Sequence, residues 1–184
     1  MELQSLTAIS PVDGRYRKQL EHLDIYFSEL ALIKQRAIVE VEYFFYLAEK
    51  KFFVLAPKTK SHLQKALNNF SIKDAQKIKE IEKITNHDVK AVEYFLKEEL
   101  EKIGFGSIKE GIHFGLTSQD INNTAIPMLW KNSIEKEYLP SITELKKSLT
   151  TLANTWKNVP MLAHTHGQPA SPTMSFSVTH HLHI

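Results

Sequence analysis

Apolar residues at three- and four-residue spacing give the chain its first clear pattern. Between about Asp24 and Lys51 the positions Leu30, Ile33, Ala37, Val41, Phe44, Phe45 and Ala48 recur in this way. Glu29, Lys34, Arg36, Glu40 and Glu49 fall to the surface side, so the segment reads as an amphipathic helix. The aromatic run Tyr43-Phe44-Phe45-Tyr46 is expected in the core. Pro57 breaks the pattern, and further helices are expected over about Lys58–Asn69 and Ile72–Ile84. Ser71 is the expected N-cap of the latter, with Asp74 placed to complete a capping box. Thr85-Asn86-His87-Asp88 then interrupts. Val89, Val92, Leu96, Leu100 and Ile103 form the next stripe, which ends at Gly104. Thr85 or Asn86 is expected to cap this helix, with Asp88 against the positive end of its dipole. Phe105–Gly115, with Gly106, Gly111 and Gly115, reads as a connector and domain boundary. Thr117 and Ser118 are natural caps for a long helix over about Gln119–Lys157, which Pro127 and Pro140 should kink or divide.

Composition narrows the class. The chain has 184 residues, 42% hydrophobic and 24% charged, with a formal net charge of +2. The lysines are interleaved with glutamates, so neither a nucleic-acid partner nor a membrane surface is expected. There is no cysteine, which excludes disulfides, thiolate metal ligands and cysteine nucleophiles and fits a cytoplasmic location. No apolar run has the length of a signal-peptide core or a membrane span.

Four polar segments carry candidate chemistry. Asp13-Gly14 reads as a turn that places Arg15 and Tyr16 at its exit; the arginine fork suits phosphate or carboxylate, though a surface role would explain the pair equally. Asn86, His87 and Asp88 stand at a helix start and read either as caps or as a ligand-holding cluster; capping leaves His87 unexplained. Thr117 and Ser118 open the long helix, and Asn122 and Asn123 hint at a polar pocket wall. Last, Ala163–Thr173 holds His164 and His166 around Thr165, with Gly167, Pro169 and Pro172 forbidding a regular helix. In an extended strand the two histidines would face one way, and an imidazole that titrates near neutrality suits acid–base work. His180, His181 and His183 could bind a metal only weakly by spacing, and no metal site is expected.

In order, Ser10-Pro11-Val12-Asp13-Gly14-Arg15-Tyr16, Thr85-Asn86-His87-Asp88-Val89-Lys90-Ala91-Val92-Glu93-Tyr94, Thr117-Ser118-Gln119-Asp120-Ile121-Asn122-Asn123 and Thr165-His166-Gly167-Gln168-Pro169-Ala170 resemble the adenylosuccinate lyase branch of the fumarase/aspartase superfamily. The resemblance implies an all-α fold: a small helical N-terminal domain, here 1–111, followed by the beginning of a central helical-bundle domain, here 112–184. It also implies a homotetramer with sites built from several subunits, a succinylated nucleotide substrate, and no metal or organic cofactor. By resemblance His166 is the general acid. Arg15 and Tyr16 hold the nucleotide, Asn86, His87 and Asp88 bind substrate, and Thr117 and Ser118 hydrogen-bond it. The family's Ser-Ser-x-Met-Pro-x-Lys-x-Asn loop, which carries the serine regarded as the base, is not found in these residues, and Phe176–Ile184 departs from the usual Gly-Lys-Glu continuation. A truncated or frame-shifted chain, inactive by itself and poorly soluble, is therefore expected. The competing expectation is a non-catalytic remnant or an assembly partner of full-length subunits.

Overall fold

The structure is a computed structural model and describes residues 3–170. Its elements are α1 (Asp13–Leu20), α2 (Asp24–Phe27), α3 (Glu29–Glu49), α4 (Pro57–Asn68), α5 (Ile72–Thr85), α6 (Asp88–Lys102), α7 (Ser118–Ser133) and α8 (Leu139–Trp156), then a hairpin of β1 (Ala163–Thr165) and β2 (Gln168–Ala170). Short 3-10 turns at Glu21–Leu23 and Gly106–Gly111 and a π turn at Ile134–Tyr138 complete them. The fold is all-α. It divides into two compact units, one through Ser133 and one from Ile134.

In the first unit α3 is the central element. Ser28 separates it from α2: its backbone is extended, and its hydroxyl accepts from the Ala31 N–H at 3.1 Å. The helix expected from Asp24 is therefore split at a capping serine. Ile33, Ala37, Val41 and Phe44 are buried to 2% exposure or less and pack with Leu63 of α4, Ala75 and Ile78 of α5, and Val92, Leu96 and Leu100 of α6. Each such large side chain contributes about 1.5–3 kcal/mol through burial. Two expectations fail on this helix. Arg36 and Glu40, assigned to the surface, are buried, and Tyr46, assigned to the core, is exposed. Four consecutive aromatics sweep around a helix, so they cannot all face inward. Ser71 is the N-cap of α5 as expected, and Asp74 completes the capping box, accepting from the Ser71 N–H at 2.9 Å and its hydroxyl at 2.7 Å.

The expected long helix also differs in detail. Pro127 lies inside α7 without ending it. The irregularity is the π turn, followed by Pro140 in the first turn of α8. A wider turn there accommodates the missing proline N–H. In the second unit α8 buries none of its residues, and Ile142, Leu145 and Leu152 are exposed. Among the described residues no helix is long and apolar enough to cross a membrane. The histidine-rich segment His180–His183 and the expected departure from Phe176 onward lie outside the described residues.

Gly111 makes the tightest approach to the core. A Cβ there would lie 2.6 Å from a Phe53 ring carbon and 2.9 Å from one of Phe44. Gly111→Ala is expected to cost about 1–3 kcal/mol by overpacking. Gly14 sits in α1 with open space around it, so Gly14→Ala is expected to be neutral or stabilising by up to about 1 kcal/mol. Urea midpoints of the two variants check this pair, and equal midpoints would contradict the packing.

Candidate active site

The first polar segment is built differently from the turn expected at Asp13-Gly14. Asp13 begins α1, and its carboxylate reaches back to accept from the Ser10 N–H at 2.8 Å and from the Ile9 N–H. These backbone donors, joined by the Arg17 guanidinium, hold the Asp13 carboxyl below its usual range. Arg17 bridges Asp13 and the buried Asp24, fastening α1 to α2. Arg15 and Tyr16 are left outside this clasp. Both are exposed, and the Arg15 guanidinium lies 5.5 Å from the Tyr16 ring centre. The pair presents a charged fork and a phenol on an anchored helix.

Asn86 and His87 share the work of turning the chain between α5 and α6. Asn86 takes the left-handed conformation (φ 49°, ψ 32°) that closes α5. His87 is extended and is itself the N-cap of α6, its Nδ1 accepting from the Lys90 N–H at 3.2 Å. The cap is thus neither Thr85 nor Asn86, because Asn86 is committed to ending the previous helix. An Nδ1 that accepts leaves the proton on Nε2, so His87 faces solvent as a hydrogen-bond donor. Burial alone would raise the Asp88 carboxyl, but the Val89 N–H and the Arg36 guanidinium outweigh it and hold the group below its usual range.

Thr117 and Ser118 open α7, as expected. The Thr117 N–H and hydroxyl both donate to the Asp120 carboxylate, at 2.7 and 2.8 Å. Thr117 is exposed and Ser118 half-buried.

Arg36 brings the second and third segments together. Its Nε donates to Asn122 Oδ1 at 2.9 Å, and its Nη2 lies 2.6 Å from Asp88 Oδ2. One buried side chain of α3 therefore ties the start of α6 to the second turn of α7. One turn on, the fully buried Glu40 meets His113 Nδ1 at 2.5 Å. Burial pushes the Glu40 carboxyl up, and His113 opposes this only in part. No side-chain hydrogen bond or ion pair among the described residues joins Arg15 or Tyr16 to this assembly. Motif spacing does not mark Arg36, Glu40 or His113 as candidate site residues. The available clue was that Arg36 and Glu40 stand three residues beyond Ile33 and Ala37, on the edge of the apolar stripe.

In the second unit β1 and β2 pair antiparallel, with Thr165 opposite Gln168 and His164 opposite Pro169. His166 (φ 51°) and Gly167 (φ 76°) form the connecting two-residue turn, with the positive φ values of a type I′ hairpin. The expectation that His164 and His166 face one way therefore fails: alternation stops at Thr165 and His166 occupies the tip. His164, His166 and Gln168 are all exposed. The continuation through Ser171, Pro172 and Thr173 lies outside the described residues. No cluster of metal-ligating side chains occurs among the described residues.

The shifted carboxyls predict a two-sided pH profile of stability. Asp88 is depressed below 3.8, so its contribution is complete above that value and is lost as pH falls through its folded pKa. Glu40 is raised above 4.5, so its contribution is complete below 4.5 and is lost as pH rises through its folded pKa. Glu40→Gln keeps an acceptor for His113 but cannot ionise. It is expected to flatten the decline above about pH 4.5 while leaving the acid limb intact, as read from urea midpoints across pH. An unchanged slope in this variant would contradict a buried, raised Glu40.

A family described as Lyase matches residues 6–181. Adenylosuccinate lyase of Dictyostelium discoideum is 51% identical over 181 residues, covering 94% of this chain and 39% of that protein. The adenylosuccinate lyases of Vibrio cholerae and Legionella pneumophila (strain Corby) are 43% and 44% identical over 178 residues, with the same coverage of 94% and 39%. The chain thus spans 39% of the length of these curated relatives. With an all-α fold, four ordered motifs and a family match over nearly its whole length, the chain belongs to the lyase family and matches the N-terminal part of adenylosuccinate lyases.

Proposed function

We propose that these residues supply, to sites built from several subunits, the general acid and much of the nucleotide-binding surface for eliminating fumarate from adenylosuccinate, giving AMP. The same sites would act on the succinylated aminoimidazole carboxamide ribotide of purine biosynthesis. The observation that supports this most is the Arg36 bridge, because it joins two of the four motif segments through a residue outside any of them. In this reading His166 protonates the departing nitrogen. Arg15 takes the phosphate as a planar fork, with Tyr16 beside it. His87 orients substrate by donating from Nε2, a role compatible with its use of Nδ1 as a cap. Asn86 and Asp88 complete that segment. Thr117 and Ser118 offer hydroxyls and helix-start N–H groups to the succinyl carboxylates. The reading needs no metal or organic cofactor and places the protein in the cytoplasm. Residues 1–111 form the N-terminal domain and 112–184 begin the central bundle of a homotetramer. The catalytic base would come from a serine loop outside these 184 residues, so the chain by itself is inactive.

A second reading, a non-catalytic assembly partner of full-length lyase subunits, draws on the exposed Ile142, Leu145 and Leu152 of α8. Co-purification with full-length lyase, without any gain in fumarate release, would favour it.

The direct test joins residues 1–181 of this chain to the part of the Dictyostelium lyase that the match does not cover. The chimaera is expected to release fumarate from adenylosuccinate and not from argininosuccinate. His166→Gln should lower its kcat about 10²–10⁴-fold. An assembled chimaera with no turnover, or full activity in the His166 variant, overturns the assignment. Fumarate release by the isolated 184-residue chain would overturn the statement that it is inactive alone.

A further inference from the structure

We propose that Arg36, Glu40 and Tyr43 of α3 form a positioning ladder that fixes the α6 and α7 substrate-binding segments relative to one another, with Arg36 as its principal member. The proposal rests on the reading that Asn86–Asp88 and Thr117–Ser118 contact substrate. The three residues are spaced at i, i+4 and i+7, so they line one face of the helix. Each holds a different part of the chain before or within the start of α7. Tyr43 Oη donates to the Phe114 carbonyl at 3.0 Å, Glu40 meets the His113 ring, and Arg36 reaches Asn122 and, across to α6, Asp88.

The segment so held has only turn hydrogen bonds of its own, such as the Leu116 N–H to the His113 carbonyl at 3.2 Å. His113 has φ 61° and Gly115 φ 71°, and no helix or strand covers 112–117. Two left-handed residues within three positions make the lead-in irregular, so side chains of α3 add the contacts that a regular element would supply. Glu40 and Tyr43 pin it at consecutive residues, which sets where Thr117 and Ser118 emerge.

The ladder is a costly way to hold a helix start if stability alone is at stake. Arg36 is 7% exposed and Glu40 0%, and Glu40 Oε2 has no hydrogen-bond partner among the described residues. Apolar residues of similar volume often stabilise as well or better than a buried charged network. What apolar residues cannot do is fix two helix starts at a set separation. The planar guanidinium does this because Nε and Nη2 point to different partners on different helices. Lysine, a single point charge, can keep Asp88 or Asn122 in the same geometry but not both. Arg36 itself is buried and engaged on both sides, which makes it a positioning residue and not a substrate contact.

Two measurements test the proposal, and the first does not depend on catalysis. In the 184-residue chain, Arg36→Met and Asn122→Ala should speed amide hydrogen exchange around Val89 and Asp120 about tenfold or more, by local opening, while amides in the middle of α5 stay protected. In the active chimaera described above, Arg36→Met should lower kcat/KM about 10²-fold, mostly through KM, with Arg36→Lys recovering part of the loss. Asn122→Ala, which removes one partner and leaves the charge pair, should fall between them and guards against a variant that does not fold. Unchanged exchange overturns the ladder. Faster local exchange with an unchanged KM shows Arg36 to be structural only and overturns its role in the site. If the unvaried chimaera assembles but releases no fumarate, the proposed function fails, and the exchange measurement still decides whether the ladder exists.

Discussion

A guanidinium taken out of water must have its donors met, and α3 satisfies Arg36 with partners from two other helices. That constraint shapes the first compact unit. The same helix carries the apolar stripe of Ile33, Ala37, Val41 and Phe44, on which α4, α5 and α6 pack. Along the edge of the stripe run Arg36, Glu40 and Tyr43, which hold the lead-in to α7 and the start of α6. One helix is therefore both the centre of the core and the frame of the candidate site. Small displacements of its polar edge pass directly to Asp88, Asn122 and the residues beside them.

The candidate site residues in this unit also do structural work, which is why they resist a clean division into caps and ligands. His87 caps α6 with one ring nitrogen and keeps the other as a donor. Asn86 ends α5 in a left-handed conformation. Thr117 spends its hydroxyl on Asp120 and leaves its oxygen lone pairs, while Ser118 stands in the first turn of α7. A helix start concentrates unpaired N–H groups, so residues that fold the helix are already placed beside the donors an anion would use. At the other end of the chain, His166 sits at the tip of a type I′ turn, where Gly167 takes the second positive φ. Histidine tolerates that conformation better than a β-branched residue would.

Much of this was legible in the sequence where one local rule dominated. The Ser71–Asp74 cap, the stripe of α6 and the opening of α7 at Thr117 follow from spacing and cap chemistry. Arg36 and Glu40 were misplaced because charged residues are assigned to water by default, and only tertiary partners reveal that they are buried. His87 was not foreseen as the cap because cap preference favours threonine and asparagine, and nothing local shows that Asn86 closes the preceding helix. Alternation does not predict the facing of His164 and His166, because the His166-Gly167 pair reverses the chain. The motif order carried the family assignment, but not the side chain that joins two of the motifs.

The joint between α3 and α7 is measured most directly by a double-mutant cycle on stability between Arg36→Met and Asn122→Ala in the 184-residue chain. If one guanidinium ties α6 to α7 through Asn122, the two changes are coupled by about 0.5–3 kcal/mol, and the double variant loses less than the sum of the single losses. Strict additivity would show that the two side chains do not act together, and the frame described here would lose its main joint.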